Sequence, residues 1–144
     1  MKQRNMLTVV LMAASSAIWA ADGVPVTSHN GACQVTVPAN WQVSKMFGSA
    51  NSPDNKANVS VTSPLHSSSL DDLKQTAKML YTNDKVTKDS ATEFQMEGLS
   101  MNNKPNVYRG ISIGGGKLCV AEVIYESGAI DDARRIAASL KSAK

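Results

Sequence analysis

Apolar and polar residues alternate along the first part of the chain, and this period of two predicts short β-strands. One predicted strand covers residues 33–37, with the sequence Cys-Gln-Val-Thr-Val, and ends at Pro38, which cannot donate to a strand ladder. Residues 41–46 are predicted to form a second strand and residues 59–62 a third. The preceding residues 24–32 are expected to be irregular, with room for one short edge strand.

A polar segment separates the second and third predicted strands. Residues 48–58 are rich in Ser, Asn, Asp and Lys and contain Pro53, so they are predicted to form an exposed loop. Such loops are either mobile connections or binding elements on a rigid scaffold. If this loop binds a partner, nearby aromatic residues are the expected anchors, with core packing as the alternative role of Trp41. The candidate partner-binding residues are Trp41, Phe47, Ser49, Asn51, Asp54 and Lys56.

Helical spacing of apolar residues marks two later segments. Residues 70–82 place three leucines, an alanine and a tyrosine on one face, and Ser69 precedes them as an N-cap. A second helix is predicted from Ile130 to Leu140. In both helices the aspartates come early, which agrees with the helix dipole.

Between these helices the period of two returns. The predicted strands cover residues 85–88, 93–101, 107–113 and 117–126. Three consecutive glycines, Gly114 to Gly116, separate the last two strands and predict a hairpin turn, because glycine tolerates positive φ. The element order predicts an α+β fold, a mainly antiparallel β-sheet with helices packed on it.

The first twenty residues have the order of a secretory signal peptide. Lys2 and Arg4 precede an apolar run at residues 6–14, and Ala20 is a small residue suited to cleavage. We therefore expect residues 1–20 to be a signal peptide and residues 21–144 a single domain, exported to the periplasm or secreted. No later segment approaches the roughly 20 apolar residues of a membrane span, so no membrane insertion is expected.

The charge pattern argues against nucleic acid as a partner. The chain has 15 Lys and Arg residues against 12 Asp and Glu. Two of the basic residues belong to the expected signal peptide, so the mature chain is close to neutral. Its charges are interspersed, and the basic footprint of a nucleic-acid-binding protein is missing.

The two cysteines, Cys33 and Cys119, predict one disulfide. In an oxidising compartment a bridge is the default, and two buried free thiols are the alternative. Their spacing excludes a catalytic Cys-x-x-Cys pair.

No motif in the chain dictates a reaction. Residues 110–117 superficially resemble a phosphate-binding loop, but the spacing is one residue too long and Leu118 replaces the magnesium-binding Ser or Thr. The only histidines, His29 and His66, lack metal-site spacing. We therefore expect no catalytic residue, metal ligand or cofactor.

Three further interpretations remain open. His66 with Asp71 or Asp72 could serve a small hydrolase, although the aspartates also suit a helix start. Paired glutamates could serve a glycosidase. A set of methionine and aromatic residues could line a hydrophobic groove for a partner or fill an irregular core. The glutamates are Glu93, Glu97, Glu122 and Glu126, and the groove set is Met79, Met96, Met101, Phe94 and Tyr108.

The stretch Cys-Gln-Val-Thr-Val-Pro-Ala-Asn-Trp at residues 33–41 carries a family resemblance. Followed by a loop, a leucine-spaced helix, a glycine-punctuated meander and a short helix, it resembles the PsbP/Mog-like superfamily over residues 33–140. The bacterial relatives are exported proteins of the DcrB type. The resemblance implies an α/β/α sandwich that works mainly by binding proteins, and it offers no catalytic motif to carry over.

The preferred functional hypothesis is an exported, non-enzymatic accessory module that binds another protein. A periplasmic immunity or inhibitor protein that blocks a toxin or hydrolase is the first alternative, because it fits the same size, export signal and disulfide. A small hydrolase is the second, and it would require a perturbed carboxylate or histidine in a concave pocket.

Overall fold

The computed structural model describes residues 23–64, 69–126 and 128–144, apart from the side chains of residues 82–84. The expected signal peptide and His66 lie outside the described residues. The described elements are β1 (Val24–Thr27), β2 (Cys33–Val37), β3 (Gln42–Ser44), β4 (Ser49–Asn51), β5 (Ala57–Thr62), α1 (Leu70–Leu80), β6 (Thr82–Asp89), β7 (Glu93–Leu99), β8 (Pro105–Gly114), β9 (Lys117–Tyr125), α2 (Ile130–Ala138) and β10 (Lys141–Ser142).

The strands form two sheets in which every described pair is antiparallel. The larger sheet has the order β3-β4-β5-β9-β8-β7-β6, and the smaller one has the order β1-β2-β10. The long strands β8 and β9 lie in the middle of the larger sheet, where both faces are covered. The predicted α+β class with a mainly antiparallel sheet is confirmed.

The central strands divide their side chains between two cores. On β8, Val107 packs with Ala133 and Ile136 of α2, whereas its neighbour Tyr108 packs with Leu70 and Ala77 of α1. The two helices therefore cover opposite faces of the larger sheet, as the period of two requires. The small sheet shares the face of α2, so that the molecule has three layers.

A disulfide between Cys33 and Cys119 ties the small sheet to the large one. It joins β2 to β9, with an S–S distance of 2.02 Å and a Cα–Cα distance of 5.6 Å. Both cysteines are fully buried in the core on the α2 side. The predicted bridge is confirmed.

Helix α1 begins as predicted and ends slightly earlier. Ser69 Oγ accepts a hydrogen bond from the Asp72 amide, and the Asp72 carboxylate accepts one from the Ser69 amide, which forms a capping box. The helix ends at Leu80 because Tyr81 has extended backbone angles. It is thus two residues shorter than predicted.

The prediction of a loop over residues 48–58 is wrong. Residues 49–51 form β4, which pairs with both β3 and β5, and β5 already begins at Ala57. Ala50 is 1% exposed and anchors β4 in the core, although its neighbours are polar. The second predicted strand also shrinks, from residues 41–46 to β3.

Candidate functional site

Three turns from the two sheets meet at one end of the molecule. The Asn30 side chain in the β1–β2 turn donates a hydrogen bond to the Ser63 carbonyl at 3.4 Å, and the Ser63 hydroxyl donates to the Leu118 carbonyl at 2.9 Å. The Val61 amide donates to the Gly48 carbonyl at 2.8 Å. We call this surface the turn end and define it as residues 28–32, 45–48, 62–64 and 114–117.

The β3–β4 turn presents two large apolar side chains to solvent. Met46 is 67% exposed and Phe47 is 71% exposed. Both lie in a tight reversal that joins two paired strands. A single exposed apolar residue is common on protein surfaces and needs no explanation. Two adjacent ones form a contiguous apolar patch, and such patches mark interaction sites.

Gly48 and His29 fix the position of this turn. Gly48 has φ +59°, and a Cβ atom there would lie 2.8 Å from the Val61 carbonyl oxygen and 3.1 Å from Ser28 Cα. His29 Nδ1 lies 3.0 Å from the Met46 carbonyl oxygen and donates to it in the tautomer with a proton on Nδ1. The turn is therefore packed against the β1–β2 turn on one side and β5 on the other.

Two adjacent cavities open at the turn end. The smaller, of about 180 Å³, lies between Phe47 and Val61 and is bordered by His29 and Thr62. The larger, of about 620 Å³, lies against the three-glycine turn and the end of the chain after β10. The cavities share Asn30 and Ser63, so they form one continuous depression.

The charged side chains that line this depression are basic. Lys117 and Lys144 line the larger cavity, and no Asp or Glu side chain of the described residues lines either one. Lys45 adds another exposed ammonium group in the β3–β4 turn. Such a surface suits a ligand that combines an apolar group with a negative charge.

The candidate partner-binding residues are divided between two places. Phe47 lies in the turn end, and Ser49 follows at the start of β4. Trp41, Asn51, Asp54 and Lys56 lie at the other end of the β3–β4–β5 meander. A binding role for the six residues together stays a prediction, but the structure does not bring them into one site.

Trp41 and Asp54 have clear structural contacts. Trp41 is half-buried and packs against the core on the α2 side. Asp54 accepts hydrogen bonds from the Ser52 hydroxyl at 2.6 Å and from the Lys56 amide at 3.1 Å. These bonds lower the pKa of Asp54, the Ser52 bond most, and hold the β4–β5 turn.

Three of the four glutamates considered for catalysis are engaged in ion pairs or hydrogen bonds, and the fourth, Glu126, is exposed. Glu93 accepts a hydrogen bond from Arg109 at 2.7 Å, which lowers its pKa. Glu97 pairs with Arg134, and its pKa is also lowered. Glu122 accepts a hydrogen bond from the buried Asn106 at 2.9 Å. Among the described residues, no group of three or more His, Cys, Asp or Glu side chains could hold a metal ion.

The methionine and aromatic set separates into core and surface. Phe94, Met96 and Tyr108 are buried on the α1 side, whereas Met79 and Met101 are exposed. Met101 lies beyond the end of β7 and Met79 near the end of α1, at the end of the sheet opposite the turn end. The five residues therefore do not line a common groove, and three of them fill the core, which was the alternative interpretation.

The turn end contains residues that sequence reasoning did not select. Met46 was assigned to a strand, and His29 and Lys117 carried no spacing signal. The available signal was the Met-Phe-Gly sequence at residues 46–48, since glycine commonly follows the exposed part of a tight turn. The cavities themselves arise from contacts between distant turns.

Comparisons with known proteins identify the fold. No model of a protein family matches the chain, and no curated protein is significantly similar to it. Among solved structures, it is similar to the solution structure of cyanobacterial PsbP (CyanoP) from Synechocystis sp. PCC 6803, with a TM-score of 0.51 and 12% sequence identity. The match covers 88% of this chain and 96% of that chain. The chain has a PsbP-like fold.

This PsbP-like fold agrees with the architecture that the sequence resemblance implied. At such low identity the similarity concerns the fold, and the function has to be argued from the site. Within the described part of the chain, no helix is both long and apolar enough to cross a membrane.

Proposed function

We propose that the protein is an exported, non-enzymatic accessory module that binds another protein through its turn end. The observation that carries this proposal is the pair Met46 and Phe47, which is exposed at the tip of a turn held by Gly48. A disulfide in the core supports action in an oxidising compartment. We place that action in the periplasm, as for the DcrB-type proteins that the sequence resembles.

A fixed apolar turn is suited to binding because it reduces the entropic cost of association. Ordering a mobile loop on binding costs conformational entropy, whereas a turn that is already packed against two neighbours loses little. Aromatic side chains such as Phe47 also bring a large contact area with few rotatable bonds. The turn end therefore offers a rigid anchor with a cavity beside it.

Site-specific photo-crosslinking in the producing cells tests this proposal. A photoreactive phenylalanine analogue replaces Phe47 in one variant and Met101 in a control variant. The control is closely matched, because Met101 is 72% exposed and lies at the opposite end of the sheet. We expect a discrete crosslinked species of higher mass from position 47 and none from position 101.

A second pair of variants separates binding from folding. Phe47→Ser and Met101→Ser should both keep the melting temperature of the original protein, because both side chains are exposed. Only Phe47→Ser should prevent co-purification of the partner that crosslinking from position 47 identifies. Equal crosslinking from positions 47 and 101, or an unaffected Phe47→Ser complex, would contradict binding at the turn end.

A further inference from the structure

We propose that the turn end binds an extended acidic segment of the partner protein. One large apolar side chain of that segment enters the cavity beside Phe47, and a carboxylate about four residues away pairs with Lys117. This inference rests on the proposed function and specifies the chemistry of its partner.

The smaller cavity has the size of one side chain. Its volume of about 180 Å³ exceeds the about 150 Å³ of an apolar cavity that accepts benzene. Phe47 and Val61 supply apolar walls, and Thr62 and His29 form a polar border. A leucine, methionine or aromatic side chain fits this environment, and its burial would also cover part of Phe47.

The larger cavity favours an anion. Lys117 lines this cavity, and no Asp or Glu side chain is among the described lining residues. The Ser142 hydroxyl donates to the Lys144 carbonyl and the Asn30 amide donates to the Ser63 carbonyl, so Lys117 is the principal group for an anion. Three glycines on one wall leave open space, since a Cβ atom at any of them would meet nothing within 4 Å.

The strand pairing fixes the distance between the backbone positions of Phe47 and Lys117. Phe47 and Thr62 line the same cavity, and Thr62 pairs with Val120 of β9. Lys117 lies three residues further along β9 and two strands away, which gives roughly 14 Å between the backbone positions. About four residues of extended chain span this distance.

A protein segment explains these features better than a lipid surface. A membrane would contact the protruding Met46 and Phe47 side chains and would need no cavity behind them. Here a cavity of side-chain size lies at a fixed distance from a cationic cavity. That arrangement matches alternating anchor and charge positions along one extended peptide.

A designed peptide pair tests the inference by NMR titration of the protein, purified from an exporting host with its disulfide intact. The first probe is acetyl-Gly-Leu-Ser-Ser-Ser-Glu-Gly-amide, and the second has Lys in place of Glu. We expect the acidic peptide to shift the amide resonances of Asn30, Phe47, Ser63 and Lys117. The basic peptide should bind roughly tenfold more weakly.

Charge reversal provides the decisive comparison. Lys117→Glu should invert the preference, so that the basic peptide binds roughly tenfold more tightly than the acidic one. Lys104→Glu is the matched control, because Lys104 is also exposed but lies in the β7–β8 turn at the opposite end, and it should leave the preference unchanged. Phe47→Ser should weaken the binding of both peptides to the same extent.

Three outcomes would overturn the inference. These are no shifts at the turn end, equal binding of both peptides, or Lys117-dependent cosedimentation with phosphatidylglycerol–phosphatidylcholine vesicles without a peptide response. If crosslinking from position 47 succeeds while the peptides fail, only the acidic-segment inference is wrong. If crosslinking fails as well, the proposed function is also wrong.

Discussion

Glu97 and Arg134 form a bidentate ion pair that fixes α2 on the sheet. Arg134 Nε and Nη2 each donate to one Glu97 carboxylate oxygen at 2.7 Å. Glu97 on β7 is buried, whereas the Arg134 side chain is 48% exposed. The hydrogen bonds from Arg134 lower the pKa of Glu97, and burial opposes them more weakly.

We expect Glu97→Gln to lower the free energy of unfolding at neutral pH by about 1 kcal/mol, because half of the pair is exposed and screened. A carboxylate whose pKa is lower in the folded state stabilises the fold above its ordinary pKa, here 4.5. That stabilisation is lost as the pH falls below this value toward the lower folded-state pKa. The difference between the original protein and the variant should therefore shrink in acid.

Urea unfolding at a series of pH values measures this difference. Glu126→Gln is the control, because Glu126 is an exposed glutamate at the end of β9, and it should change stability by less than about 0.5 kcal/mol. A difference for Glu97→Gln that stays constant down to low pH would show that the ion pair contributes nothing.

Among the elements, the sequence pattern predicts the long strands, both helices and a strand at the position of β3, but not β4 or β10. β2 alternates over five residues, whereas β8 and β9 are long strands with buried side chains on both faces, and either pattern marks a strand in the sequence. β4 has the sequence Ser-Ala-Asn and a single buried side chain, and three residues cannot display a period. Its strand conformation comes from pairing with β3 and β5.

Two shortened variants distinguish the contribution of β4 to stability from that of the β4–β5 turn within residues 49–56. Replacing all eight residues with Gly-Ser should lower the melting temperature by more than about 5 °C, because it removes β4 and its buried Ala50 from between β3 and β5. Replacing only residues 53–56 with Asn-Gly should change stability by less than about 1 kcal/mol, because this pair forms a tight hairpin turn between Ser52 and Ala57. Differential scanning calorimetry measures both effects, and equal melting temperatures would show that β4 is dispensable.

The candidate site was less predictable than the fold. Phe47 was predicted as an anchor from its residue type and its place beside a polar segment. His29 and Lys117 come from turns far away in sequence, and nothing in the local pattern shows that these turns meet. Periodicity reports which face of an element is buried, but it does not report which turns become neighbours.

The disulfide is a covalent cross-link between the two sheets. It closes a segment of 86 residues and lies in the core between them. The contacts of β2 with β5 and β9 lie in the same core as the bridge. The bridge and the core therefore stabilise the same interface.

We expect the double variant Cys33→Ala/Cys119→Ala to melt more than about 10 °C below the original protein. A link across 86 residues removes chain entropy worth up to about 4 to 5 kcal/mol from the unfolded state. Calorimetry measures the change, and a decrease below about 3 °C would show that the core alone holds the sheets. The original protein should also retain its bridge in reductant without denaturant, because both cysteines are fully buried.

The pairing of β10 with β2 also determines when the fold can be completed. Ser142 lies opposite Cys33, so the small sheet joins two segments that are far apart in the sequence. Until β10 has docked, β2 lacks one of its two neighbours, and pairings between distant segments form slowly. The small sheet is therefore completed late in folding, and until then β2 pairs with β1 alone.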